Sequence, residues 1–289
     1  MKRARAILQA EYKSNPTDVR TRFLLSEVLE AFKKYDEALQ FAEQALATDP
    51  NNADYHYEVA LICGEMAEKA NVFKQLALAR RSKKEAETAI QLNPKHVDAR
   101  NLLVNFYAEA PSIAGGDKQK AREMLAEVER LNPVDAASDE ADIARNEKNE
   151  AGIEAAVVKE ARLGPRDYDG QMEAANYFSS DTQKKYDVAE KYARAARQLD
   201  PARAGAYSVL AIVFAATQRL DALDELLVQA EKNVPDNLVP FFQAGRTLLE
   251  RGKEPARAES YFRKYLTQEP EAGSPSLEEA RKYLKRLKP

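Results

Sequence analysis

The residues of this chain best suited to nucleophilic, general-base or metal chemistry are His56, His96 and Cys63, and they are too few and too far apart to form a site. A catalytic zinc needs three protein ligands in a characteristic spacing, and no HExxH, CxxC or GxSxG pattern occurs. Carboxylate pairs such as Glu278-Glu279 are frequent, but 47 acidic side chains place such pairs on exposed helix faces without any catalytic purpose. The segment Ala110-Pro111-Ser112-Ile113-Ala114-Gly115-Gly116-Asp117-Lys118 is rich enough in glycine to turn sharply, yet it lacks the G-x-x-x-x-G-K-[ST] order that cradles phosphate. The run Arg80-Arg81-Ser82-Lys83-Lys84 reads either as an anion-binding patch or, as short charge runs more often do, as a solvated helix face. No catalytic residue, metal ligand or cofactor site is therefore assigned. The chain is expected not to be an enzyme, because activity has to be argued from a site.

The elements that would hold any binding surface are easier to read. Prolines fall at positions 16, 50, 94, 133, 165, 201, 235 and 270, at intervals of 34, 44, 39, 32, 36, 34 and 35 residues. An amphipathic run precedes most of them, as in Ala38-Leu39-Gln40-Phe41-Ala42-Glu43-Gln44-Ala45-Leu46, where apolar or small residues recur every three to four positions. The closing triplets Thr48-Asp49-Pro50, Leu92-Asn93-Pro94, Leu131-Asn132-Pro133 and Leu199-Asp200-Pro201 stop a helix, because proline disfavours the helical conformation of the residue before it. The chain is expected to be all-α.

Charge narrows the classes of partner. The 44 basic and 47 acidic residues are interspersed and sum to −3, so there is no broad cationic field for phosphate backbones or anionic lipid, and nucleic acid is not an expected partner. A single cysteine excludes an intramolecular disulfide, and Cys63 reads as a small buried hydrophobe. No segment approaches the roughly 18 consecutive apolar residues of a membrane span. The chain as written reads as cytoplasmic; a mature form with its leader removed would read the same way, which leaves a periplasmic location open.

A period near 34 residues, with alanines in the second helix and a closing proline, resembles the tetratricopeptide repeat. That resemblance implies a right-handed α-solenoid of antiparallel helix pairs. With each repeat numbered so that its proline is slot 32, residues 19–52 supply Leu25, Ser26, Leu29, Ala38, Ala42 and Ala45, and residues 204–237 match without a gap. Slot 8 holds Ser26, Ala60, Ala211 and Gly245, small residues suited to close helix approach. Seven repeats are expected at 19–52, 53–96, 97–135, 136–167, 168–203, 204–237 and 238–272. A half repeat at 2–18 precedes them, and a capping helix at 273–289 follows, with Leu277, Ala280, Leu284 and Leu287 inward and Arg281, Lys282, Lys285, Arg286 and Lys288 outward.

Two repeats carry insertions. The stretch from Met66 to Ala89 is helical in pattern with no breaker, so one or both helices of the second repeat are lengthened. In the third repeat Gly115 and Gly116 allow positive φ, and Asp117 is placed to cap the helix starting at Lys118. This loop resembles a subset of bacterial tetratricopeptide proteins with an A-P-x-x-x-G-G pattern. The lengthened helices and the Leu92-Asn93-Pro94 junction are loosely similar to the regulators of microtubule dynamics.

The resemblance implies that slots 2, 5, 9 and 12 line a concave groove, which points to Arg20, Phe23, Glu27, Tyr57, Asn101, Asn105, Asn176, Phe242 and Arg246 as partner-contacting residues. The family's carboxylate clamp for chaperone tails is not expected, since Phe23 and Glu27 occupy slots where Lys and Asn would be required. The function expected is a protein-interaction scaffold holding a peptide or partner helix. The alternative is a structural assembly subunit that uses its convex face or edges.

Overall fold

The computed structural model describes residues 1–287, which contain sixteen α-helices and one 3₁₀ turn and no strand. Lys288 of the expected cap lies outside the described residues. The chain divides into two compact units, Met1–Ala156 and Val157–Pro289.

In the first unit α1 (Lys2–Ser14) precedes the pairs α2 (Val19–Ala31) with α3 (Tyr35–Thr48), α4 (Ala53–Lys69) with α5 (Val72–Leu92), and α6 (Val97–Glu109) with α7 (Lys118–Leu131). Then comes α8 (Pro133–Asn146). The unit boundary falls inside α9 (Glu150–Leu163). The second unit holds α10 (Tyr168–Ser179), α11 (Tyr186–Leu199), α12 (Ala204–Ala216), α13 (Leu220–Asn233), α14 (Val239–Glu250), α15 (Pro255–Tyr265) and α16 (Leu277–Arg286).

The helices begin where side chains satisfy their free N–H groups. Asp18 accepts from the Thr21 N–H at 2.7 Å, Asn52 from the Asp54 N–H at 2.9 Å, and Asp167 from the Gly170 N–H at 2.8 Å. His96 does the same through Nδ1, 3.2 Å from the Ala99 N–H. Within several helix pairs the turn passes through a left-handed residue, at Lys33, Lys148, Lys184, Gln218 and Gly252.

The pairs close on alanine. Ala38, Ala42 and Ala45 of α3 and Ala189, Ala193 and Ala196 of α11 are all fully buried, which lets backbones approach without voids. Ser26, Ala60 and Ala211 are equally buried, and a Cβ on Gly245 would come within 3.2 Å of the Ala258 carbonyl and the Phe262 ring.

Two details depart from the sequence reading. The stretch from Met66 to Ala89 is broken at Ala70-Asn71, because the Asn71 side chain accepts from the Lys74 N–H at 3.1 Å and starts a new helix, so both α4 and α5 are lengthened. Pro133 does not sit in a turn as Pro94 does. Asn132 ends α7 and also caps α8 through the Val134 N–H at 3.1 Å, putting Pro133 at the first helical position, ahead of the boundary at 136. That omission of a turn explains the short spacing between Pro133 and Pro165.

Candidate functional site

Both insertions converge on one cavity of the first unit, with a volume of about 650 Å³. The lengthened α4 supplies Tyr57, Leu61, Gly64, Glu65 and Glu68, and the added turns of α5 supply Val72, Gln75, Leu76 and Ala79. From α6 come Asp98, Asn101, Leu102, Asn105, Phe106 and Glu109, while Pro111, Ile113 and Ala114 close one side. The lining is largely apolar and includes the carboxylates of Glu65, Glu68, Asp98 and Glu109. Val72 and Ile113 of the lining are 75% and 83% exposed, and Phe73, which follows Val72 in the chain, is 91% exposed, which is costly for apolar side chains in water unless something covers them.

The loop from Ala110 to Asp117 is held in shape by its own backbone. The Gly116 N–H donates to the Pro111 carbonyl at 3.2 Å, and the Asp117 N–H to the Tyr107 carbonyl at 2.9 Å. Gly115 has φ of 105°, as the glycine pair was expected to permit. Gly116 is glycine for another reason: its φ is not positive, but a Cβ there would stand 1.7 Å from the Ala110 carbonyl oxygen. Asp117 accepts from the Gln119 N–H at 2.9 Å and so caps α7.

Three of the sequence-derived residues, Tyr57, Asn101 and Asn105, line this cavity together. Tyr57 packs its ring 5.0 Å from that of His96. Burial, reinforced by the carboxylates of Asp98, Glu58, Glu30 and Glu27, pushes its phenol well above the usual tyrosine range. The Asn101 amide donates to Asp139 Oδ2 at 3.2 Å and to the Val97 carbonyl at 3.3 Å, so it ties α6 to α8. Asn105 reaches Asp142 at 3.5 Å through its nitrogen and leaves its buried Oδ1 without a donor.

Arg20 and Glu27 line a different, open groove of about 750 Å³ between α1 and α2, beside Leu8 and Leu24. Phe23 is in the lining of neither, and its ring is 4.9 Å from that of Tyr55. In the second unit Asn176 is exposed on α10, and Arg246 sits 3.8 Å from Glu250. Phe242 is corrected outright. It is 1% exposed and wedged among Phe262, Tyr265 and Tyr283, so the slot expected to face a groove is here covered by α16.

The basic run divides among helix faces. Arg81 pairs with Glu43 at 2.6 Å, Lys83 lies 5.2 Å over the Tyr107 ring, Ser82 is buried, and Arg80 and Lys84 face solvent. Among the described residues no group of three or more His, Cys, Asp or Glu side chains could hold a metal ion, and no helix is long and apolar enough to cross a membrane.

Sequence reasoning missed Leu76, Leu102, Phe106 and Ile113. Each looked like an ordinary core position or loop residue, and only the meeting of two insertions makes them a lining. A signal was present in Val72-Phe73, an apolar pair at a helix start with nothing in the repeat pattern to cover it.

With this geometry in place, the class is plain: a tetratricopeptide-repeat α-solenoid fold, built from helix pairs with the period and small-residue slots of that repeat. The family model for regulator of microtubule dynamics protein 1–3 matches residues 26–111, a minority of the chain that takes in α4, α5 and α6. No characterised protein sequence matches. Among solved structures, yeast Tom70 superposes with a TM-score of 0.62 at 15% identity, over 99% of this chain and 57% of that one. A human IFIT1 dimer with m7Gppp-AAAA gives 0.56 at 15% identity, over 93% of this chain and 62% of that one. Cut9 in the APC/C hetero-tetramer Cut9–Hcn1 gives 0.51 at 13% identity, over 98% and 52%. The chain thus spans between 52% and 62% of the length of these proteins, and at such identities the likeness is one of fold.

Proposed function

We propose that this chain is a protein-interaction scaffold that takes a polypeptide segment of a partner in the cavity between α4, α5, α6 and the loop after α6. The observation that carries this reading is the exposure of Val72 and Ile113 in the lining of a largely apolar cavity, on the two stretches where the repeat pattern is interrupted. Additions of this kind to a repeat array map to its binding surfaces. The lining contains four carboxylates and no lysine or arginine, which opposes a phosphate-bearing ligand such as nucleic acid. No catalytic role is proposed for any residue.

A photo-crosslinking amino acid placed at Phe73, at Ile113 or at Val228, which is 69% exposed on α13, tests the assignment in the cell of origin. Protein adducts at 73 and 113 and none at 228 are the expected result. Adducts confined to 228 would favour the assembly-subunit reading, in which the outer face is the interface.

A further inference from the structure

Resting on that reading of the cavity, we propose that its occupant is cationic: a stretch of a partner polypeptide in which large apolar side chains stand next to lysine or arginine. The shape and the charge of the lining argue for this together. Leu61, Leu76, Leu102 and Phe106 offer an apolar floor, while Glu65, Glu68, Asp98 and Glu109 are the charged groups of the lining and all are acidic. Among the described residues, Glu68 and Asp98 meet no lysine or arginine at ion-pair distance. Lys69 and Lys83 on the flanking helices are already engaged. Lys69 donates to the Tyr35 hydroxyl at 2.7 Å and stands 3.8 Å from Glu65 of the lining, and Lys83, with Glu87 at 3.7 Å, lies over the Tyr107 ring and 5.9 Å from the Phe106 ring.

The negative field does not stop at the lining. Glu27 and Glu30 on α2 act on Tyr57 as further carboxylates, and burial weakens the acidity of both, with Asp54 adding to it at Glu27 and Glu65 at Glu30 against Lys69 and Lys33. Like charges gathered in a partly desolvated strip cost free energy, and a bound cation relieves that cost. An acidic segment would increase it. Such a wall therefore selects partners by repulsion as much as by attraction.

Phage-displayed random peptides selected on the full chain decide the matter, with counter-selection on two variants that alter the cavity. Ala79→Phe fills the floor, and Ile113→Asp removes an apolar rim residue that is too exposed to disturb the core. The expected outcome is a set of peptides that bind the parent and neither variant, and that carry lysine or arginine beside leucine or phenylalanine. Their affinity should fall with added salt and weaken by roughly threefold in each of Glu68→Gln and Asp98→Asn. Cavity-dependent peptides that are neutral or acidic would overturn the cationic assignment and leave the cavity as a binding site. Peptides that bind the variants as well as the parent, or none at all, would overturn the cavity reading and this inference with it.

Discussion

Asn101 on α6 donates to Asp139 on α8 at 3.2 Å, and the carboxylate it meets is 3% exposed. Burial, with Asp142 and Asp135 adding negative charge from the same helix, pushes the Asp139 carboxyl up to about 8. The native state therefore holds a proton that the unfolded chain has already lost, across the interval from the ordinary carboxylate range to about 8. Stability from this group is full below the unfolded value and is lost as pH rises through the folded one. Asp139→Asn keeps the shape and cannot charge. Near pH 9 it should exceed the parent by about 1 to 3 kcal/mol in urea unfolding, with the gap closing near pH 4. A gap of the same size at both pH values would show that Asp139 is not the titrating group.

Glu58, on α4, offers the same test. It is 3% exposed, with one oxygen lacking a donor, and burial takes its carboxyl up to about 8 against a smaller opposing pull from the Ser26 hydroxyl; Glu27 and Glu30 push it further up. Glu58→Gln is expected to stabilise the chain above pH 8 by about 1 to 2 kcal/mol and to do nothing near pH 4. Combining it with Asp139→Asn should give additive gains, since the two are separate carboxyls with different neighbours.

The loop makes a sharper prediction. Gly115→Ala forces a non-glycine residue to a φ of 105° and should cost about 1 to 2 kcal/mol. Gly116→Ala meets the Ala110 carbonyl at 1.7 Å and must move the backbone, so the loop should lose its shape altogether. Hydrogen exchange at the Gly116 and Asp117 amides, both bonded inside the parent loop, should accelerate in Gly116→Ala by well over tenfold while α2 and α3 stay protected. Unchanged protection would mean that the loop tolerates a side chain there.

How much of this was open to sequence reading follows from where the information resides. The alanines of α3 and α11 and the small residues at slot 8 are local requirements of helix pairing, so their pattern is written in each repeat. Leu92-Asn93-Pro94 and Leu131-Asn132-Pro133 look alike, but only the second asparagine turns its side chain forward to cap the next helix, and triplet chemistry alone does not separate the two. Asn71 likewise starts a helix without any proline or glycine to mark it. Phe242 was misread because its slot faces a groove only when another repeat follows, and here α16 covers it. The cavity was invisible for a similar reason: its lining joins residues whose distance in sequence hides their meeting in space.

The end of the second unit carries a stability prediction. Tyr283 of α16 stacks on Phe262 with centroids 5.2 Å apart, stands edge-on to Phe242 at 5.7 Å, and Ala280 beside it is fully buried. Tyr283→Ala should cost about 1 to 3 kcal/mol, from lost apolar burial and two aromatic contacts. Deleting the chain from Pro275 onward should also break the bond from the Tyr265 hydroxyl to the Pro275 carbonyl at 2.5 Å and expose Phe262 to water. Light scattering should then show aggregation, as expected for a repeat stack without its polar end. A truncated chain that stays monomeric with the parent's melting temperature would remove α16 from that role.

Asn105 and Asn101 occupy successive turns of α6, yet the structure gives them different work. Asn101 spends its amide nitrogen on Asp139 and the Val97 carbonyl, so Asn101→Ala should lower stability by about 1 kcal/mol, the net scale of a hydrogen bond whose buried partner is left behind. Asn105 makes one long contact to Asp142 and its buried Oδ1 has no donor, so Asn105→Ala should leave thermal stability within about 0.5 kcal/mol of the parent. If the Asn105 side chain, which lines the cavity, hydrogen-bonds the ligand, the same variant should weaken binding of a cavity-dependent peptide by about 0.5 to 1.5 kcal/mol in titration calorimetry. Asn176→Ala, in the second unit, should have no effect on that peptide; an equal loss there would mean that the ligand engages both units. Unaltered affinity in Asn105→Ala, with stability also unaltered, would take Asn105 out of the site and leave recognition to the apolar floor and the acidic wall.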